Sequence, residues 1–131
     1  MHVAAGILVV CLVVGIDVVI FVVVMYALSR RWNRFALNFP ACLPRPNAVQ
    51  RRFQSFRMGL FNLGWSVHVA VDADMLHLTP VAMLRIGGAK SASIPWSEVC
   101  RVGPKTIGRT TTVVIRGVEL TGPAWALSFV D

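Results

Sequence analysis

The distribution of apolar positions divides the chain into three parts. From Val3 to Leu28 nearly every residue is Val, Ile, Leu, Ala, Phe or Met, and Asp17 is the one side chain in the run that ordinarily carries charge. A helix needs about 20 apolar residues to cross a hydrocarbon core, so this stretch is long enough to span with room for tilt. It ends near Ser29, where the basic run Ser29-Arg30-Arg31-Trp32-Asn33-Arg34 begins. Residues 35–50 keep no sustained period and hold Pro40, Pro44 and Pro46. They read as a semi-extended linker, with the helix continuing briefly through Leu37.

From Arg51 onward the period becomes two. Val67, Val69 and Val71 alternate with His68 and Ala70, and Leu76 and Leu78 alternate with His77 and Thr79. Both are half-buried strands by pattern. To put the two apolar rows on one face, the turn between them must pair Val71 with Leu76, because a one-residue slip would bury the histidines instead. Further strands are expected at Phe53–Met58, at Val81–Ile86 before Gly87-Gly88, at Thr110–Arg116 and at Val118–Thr121. Gly122-Pro123 then reads as a turn, and Trp125, Leu127 and Phe129 as alternate positions of a last strand. Ser97 is placed to cap a short helical turn before Val99–Val102. Short strands at this spacing point to a small barrel or sandwich. The expected division is 1–29 transmembrane helix, 30–50 basic juxtamembrane segment and linker, and 51–131 β domain.

Charge gives the span a direction. All 13 Lys and Arg residues follow it, and seven of them, Arg30, Arg31, Arg34, Arg45, Arg51, Arg52 and Arg57, precede Asp72, the first acidic residue of that region. Met1-His2 carries no Lys or Arg. Basic flanks stay on the cytoplasmic side, so the N-terminus is expected outside and the β domain in the cytoplasm. A cleavable signal peptide would need a basic start, an apolar stretch of about 7–15 residues and a small-residue cleavage site, and Tyr26-Ala27-Leu28-Ser29 offers a poor one. Three cysteines, Cys11, Cys42 and Cys100, form no disulfide framework or metal-ligand spacing, which suits a reducing compartment.

One group of residues carries a resemblance. Phe53-Gln54-Ser55, Gly59, Asn62, Trp65, the run Val67–Asp72, Leu76-His77-Leu78 and Ser93-Ile94-Pro95-Trp96-Ser97-Glu98-Val99 resemble a group of small uncharacterised bacterial proteins. These are similar to bacterial pleckstrin-homology-like and GRAM-like domains, in which a strand hairpin precedes an Ile-Pro-Trp-x-Glu-Ile type of segment. The resemblance covers about residues 50–105. It implies a mainly β protein with one N-terminal transmembrane α-helix and a small antiparallel, partly barrel-like domain in the bacterial inner (cytoplasmic) membrane. Asp74-Met75 stands where the hairpin of the pattern has glycine. The long C-terminal helix that plugs the barrel in pleckstrin-homology domains has no clear counterpart before Asp131.

Candidate chemistry is sparse. An isolated carboxylate at mid-span costs about 2.5–3.5 kcal/mol on insertion scales, so Asp17 is a candidate docking contact with another helix, in a homo-oligomer or a partner subunit. On a helical wheel it shares a face with Gly6, Val10, Val13 and Val24. Arg30, Arg31, Trp32 and Arg34 are candidate ligands for anionic lipid headgroups, at about 1 kcal/mol per basic residue near the surface. No nucleic acid is expected, since Phe53, Phe56, Phe61 and Trp65 are needed for the core. His68 and His77 read as solvated residues on the outward face, Cys100 as a small core or edge residue, and Trp96 as a cover over one end of the sheet. Gly87–Ser91 lacks the spacing of a phosphate loop. No catalytic, cofactor-binding or metal-binding residue is assigned. The expected function is a non-catalytic, membrane-tethered module that binds a partner protein or anionic lipid; the alternative is an accessory subunit of a membrane complex assembled through Asp17.

Overall fold

In the computed structural model, which describes residues 1–102 and 109–128, one helix leads into one antiparallel sheet. Helix α1 runs from His2 to Ala36, and its apolar stretch is long and apolar enough to cross a membrane. The strands are β1 (Val49–Met58), β2 (Phe61–Val71), β3 (Met75–Pro80), β4 (Ala92–Pro95), β5 (Val99–Arg101), β6 (Thr110–Ile115) and β7 (Val118–Pro123). Their order in the sheet is β4-β3-β2-β1-β7-β6-β5. The edge strands β4 and β5 are joined by a single 3-10 turn, Trp96–Glu98, so the sheet curls nearly into a barrel. The indole Nε1 of Trp96 donates to the Asp72 carbonyl oxygen (2.9 Å), which lays the ring over the β2–β3 end as expected.

Register follows the buried face. Val71 pairs with Leu76, Val69 with Leu78, and Leu76 with Ile94, and all of these side chains are buried. Asp72 closes the intervening turn by accepting the amide N–H groups of Asp74 (2.9 Å) and Met75 (2.8 Å) on Oδ1. In β1 the pairing steps from Arg51↔Val69 to Gln54↔Val67, so Arg52 and Phe53 together oppose His68. Phe53 has φ +52°, the left-handed conformation that a non-glycine residue adopts at a cost.

Two expected strands are short helices. Val81–Ile86 contains α2 (Ala82–Ile86), because Ala, Met, Leu and Arg favour helix and Val81 ends the β3 pairing with its N–H on the Ser66 carbonyl (2.9 Å). The last segment is α3 (Ala124–Leu127), started by Pro123 at φ −64° and buried through Ala126 and Leu127. Gly122-Pro123 belongs to β7 and is not a turn. Phe129 lies outside the described residues. The 3-10 turn at Trp96–Glu98 forms without a Ser97 cap.

The larger difference concerns residues 30–50. They form no free spacer: Trp32, Phe35, Ala36 and Phe39 recur at helical spacing and enter the same core cluster as Phe56, Leu76, Ile94 and Leu120. The Trp32 and Phe35 rings meet edge-on at 5.9 Å, and Phe35 stacks toward Phe39 at 5.4 Å. Past the helix, Pro40 bridges Ala92 on the edge strand β4, and Ser93 N–H bonds the Phe39 carbonyl (3.2 Å). Residues 39–45 therefore strap the outer face of β3 and β4 and cover an edge that would otherwise stand open.

Candidate functional site

The strap explains the fate of the polar row that the alternation placed outside. Ala70, His77 and Ser93 lie side by side across β2, β3 and β4. His77 is only 5% exposed and Ser93 4%, so the reading of His77 as a solvated surface residue is wrong. Period two reports that a row is polar; it does not report that another segment covers it. Ser93 Oγ accepts the Cys42 amide N–H (2.9 Å) and bonds His77 Nδ1 (2.8 Å). On the other side of the ring, His77 Nε2 donates to Asp72 Oδ2 (2.8 Å), which also takes the Arg45 amide N–H (3.2 Å). Arg45 adds an ion pair to Asp74.

Asp72 is a carboxylate in this network. Burial alone would push its carboxyl up, but the bonds from His77 and from the Met75, Asp74 and Arg45 amides outweigh that and hold it well below its ordinary 3.8. The order Ser93–His77–Asp72 looks like a nucleophilic relay, and the geometry favours a clasp. The Ser93 oxygen is spent on the strap amide, and with the proton of the ring fixed on Nε2 the hydroxyl donates to Nδ1. The Ser93 hydroxyl can instead turn its proton to the Cys42 carbonyl at 3.3 Å. Either way the clasp holds the strap at Cys42 and Arg45.

The held strap forms one wall of a cleft of about 380 Å³ on the same outer face. Its lining includes Arg51, Arg52, His68, Thr79 and Arg85 and contains no Asp or Glu. The β1 bulge serves this cleft by aiming the Phe53 N–H at His68 Nδ1 (3.1 Å), with the Phe53 ring edge-on to the imidazole at 4.8 Å. Accepting at Nδ1 leaves the His68 proton on Nε2. Burial first, then the charges of Arg52 and Arg85, lower His68 below its ordinary 6.5. Arg51 lies over the Trp125 ring at 4.7 Å, and Trp125 Nε1 donates to Gln54 Oε1 (3.1 Å). A concave surface with the guanidinium groups of Arg52 and Arg85 and a neutral imidazole donor suits a phosphate-like anion.

Of the residues singled out for headgroup contact, Arg30, Arg31 and Arg34 are exposed on the last turns of α1, with Arg30 also over the Tyr26 ring at 5.9 Å. Trp32 does not stand with them. It is 1% exposed, and its indole Nε1 donates to the Lys90 carbonyl inside the domain (2.6 Å). Asn33 binds the same loop, donating to the Gly88 carbonyl (2.8 Å) and accepting the Lys90 amide (2.9 Å). Thus Gly87–Ser91 docks on α1. Asp17 is exposed on the span, remote from the cleft, and Cys100 is exposed on the edge strand β5. Among the described residues no group of three His, Cys, Asp or Glu side chains is placed to hold a metal.

Sequence reasoning missed Arg52 and Arg85 as a pair, because they come together beside His68 only through the β1 bulge and the unexpected α2. Comparison with family models, with curated proteins and with solved structures gives no match.

Proposed function

We propose that this chain is a single-pass bacterial inner-membrane protein, with its N-terminus outside and its β domain in the cytoplasm. In this reading the β domain is a non-catalytic module that binds the anionic headgroup of a membrane lipid in the Arg52–Arg85 cleft. The cleft itself carries the reading: Arg52 and Arg85 flank His68 there with no carboxylate in the lining, on a domain joined directly to a membrane-length helix. The basic residues following the span support the orientation, since Lys and Arg stay on the cytoplasmic side. The likeness to pleckstrin-homology-like and GRAM-like modules agrees with a small β domain working at a membrane. Their long C-terminal plug is absent from the described residues; here the end of α1 contributes Trp32, Phe35, Ala36 and Phe39 to the core.

The test uses the full chain in nanodiscs, with native mass spectrometry reading which lipids stay bound. Phosphatidylglycerol should be retained over phosphatidylcholine, and the double variant Arg52→Gln/Arg85→Gln should lose that preference. Inorganic phosphate added as competitor separates a headgroup site from a free-phosphate site: strong displacement would favour the latter. Equal retention of both lipids by the native chain would refute the reading.

A second reading concerns the span. None of its most apolar stretch is buried within the protein, and Asp17 lies on it. A helix carrying a mid-span carboxylate is suited to packing against another helix in an oligomer or with a partner subunit. Under this reading Asp17→Ala shifts the migration of the complex on native gels, and unchanged migration counts against it.

A further inference from the structure

We propose that α2 is a second membrane contact: a foot beside the span whose Met83 and Ile86 side chains insert among the lipids. The inference rests on α1 crossing a bilayer, and it concerns an element more than 50 residues away from the span in sequence.

The height of α2 is fixed by its contacts. Ser29 Oγ donates to the Leu84 carbonyl (3.0 Å), so α2 sits against the Met25–Ser29 turn of α1. Gly87, at the C-terminus of α2, comes so close that a Cβ there would lie 2.7 Å from Ser29 Oγ and 3.3 Å from the Met25 carbonyl. The chain then drops to Asn33 through Gly88 and Lys90, deeper into the domain. α2 is therefore packed against the last apolar turn of α1. The first charged side chains after the span are Arg30 and Arg31, which belong at headgroup level. The turn just before them, Met25–Ser29, lies at the boundary between hydrocarbon and headgroups, and α2 lies at the same depth.

The exposed face of α2 is suited to that depth. Leu84 points inward and is buried, whereas Met83 is 52% exposed and Ile86 87%. Arg85, between them in sequence, is exposed and also lines the basic cleft. An apolar pair flanking an arginine, at the level where a bilayer changes from chains to phosphates, satisfies both parts: the side chains of Met83 and Ile86 leave water, and Arg85 meets phosphate. The foot thereby sets the cleft beside the headgroup layer, so that lipid is the ligand nearest to it.

Photocrosslinking in the full chain tests this. A benzoylphenylalanine is placed singly at Val19, Met83, Ile86 and Leu43 in vesicles of phosphatidylethanolamine and phosphatidylglycerol. All four side chains are exposed, so the probe does not disturb the core. Leu43 lies on the strap toward the β2–β3 turn, at the end of β3 opposite α2, and serves as the distal control. Lipid adducts are expected at Val19, Met83 and Ile86, with yields several-fold above Leu43. Adducts at Val19 but none at Ile86 would overturn the foot and leave the anchor standing. No adduct at Val19 would overturn the anchor and the foot together. A protein adduct at Ile86, from a second copy or another chain, would also overturn the foot, as would lipid adducts at Leu43 in equal yield.

Discussion

Asp72 does the work of several residues: it closes the β2–β3 turn, fixes the proton of His77 and holds the Arg45 amide. Its carboxyl is depressed in the folded chain, so the folded form binds a proton less readily than the unfolded form. The stability it contributes is present above the unfolded value near 3.8 and is lost as pH falls below it. Asp72→Asn should cost about 2 kcal/mol at neutral pH, the scale of hydrogen bonds to a charged group. The gap between variant and native chain should begin to narrow below pH 3.8 and keep narrowing in stronger acid, and melting followed by circular dichroism from pH 7 to pH 2 measures both effects. His68 gives a signal of the same sign at higher pH. Its ring is held below 6.5, so its share of stability falls away as pH drops below that value. An anion in the cleft offsets Arg52 and Arg85 and should raise the His68 pKa. Titration of the imidazole by NMR should show that rise with phosphatidylglycerol nanodiscs, and Arg52→Gln/Arg85→Gln should raise the pKa without lipid and abolish the response. The Val71↔Leu76 pairing was legible because each alternate side chain is committed to one face. The clasp was not, because nothing in the local pattern of His77 or Ser93 records a strap from residues 39–45.

At the level of elements, strands with long alternation were readable and short terminal pieces were not. Five residues such as Ala82–Ile86 fit a strand or a helix equally well by hydrophobicity, and the choice is made by where α1 lies. Gly87 is where that choice is recorded. Its φ of −74° needs no glycine, so its small size is required only for the approach to α1. Gly87→Ala should force α2 outward and cost about 1–3 kcal/mol, the usual range for overpacking. Because the nearest obstacle is the Ser29 hydroxyl, Ser29→Ala/Gly87→Ala should recover part of that loss. Chemical denaturation of the four members of the cycle measures the coupling, and strict additivity would mean that the two helices are not pressed together there.

For the whole molecule, the consequential feature is that the long apolar helix and the β domain share one core. Sequence reading placed a linker between them, since Pro40, Pro44 and Pro46 and the lack of period mark an irregular stretch, and irregular backbone is easily taken for slack. Here it is bound at Pro40, Cys42 and Arg45, and the aromatic residues just before it fill the inside of the curled sheet. A rotation of α1 is therefore transmitted to the domain, and the cleft keeps a fixed attitude to the axis of that helix. It follows that the β domain is not separable at the end of the apparent linker. A chain of residues 45–131 lacks Trp32, Phe35, Ala36 and Phe39, whereas one of residues 26–131 keeps them. Loss of a buried Trp or Phe side chain costs about 3–5 kcal/mol, a large fraction of the 5–15 kcal/mol typical of a domain. The shorter chain should show poor amide dispersion and bind a hydrophobic dye, and the longer one should melt cooperatively. Trp32→Ala in the full chain should destabilise the sheet to a similar degree, although the residue belongs to the long N-terminal helix. Cooperative folding of residues 45–131 with native dispersion would show that the domain is merely tethered and that its attitude to the membrane is free.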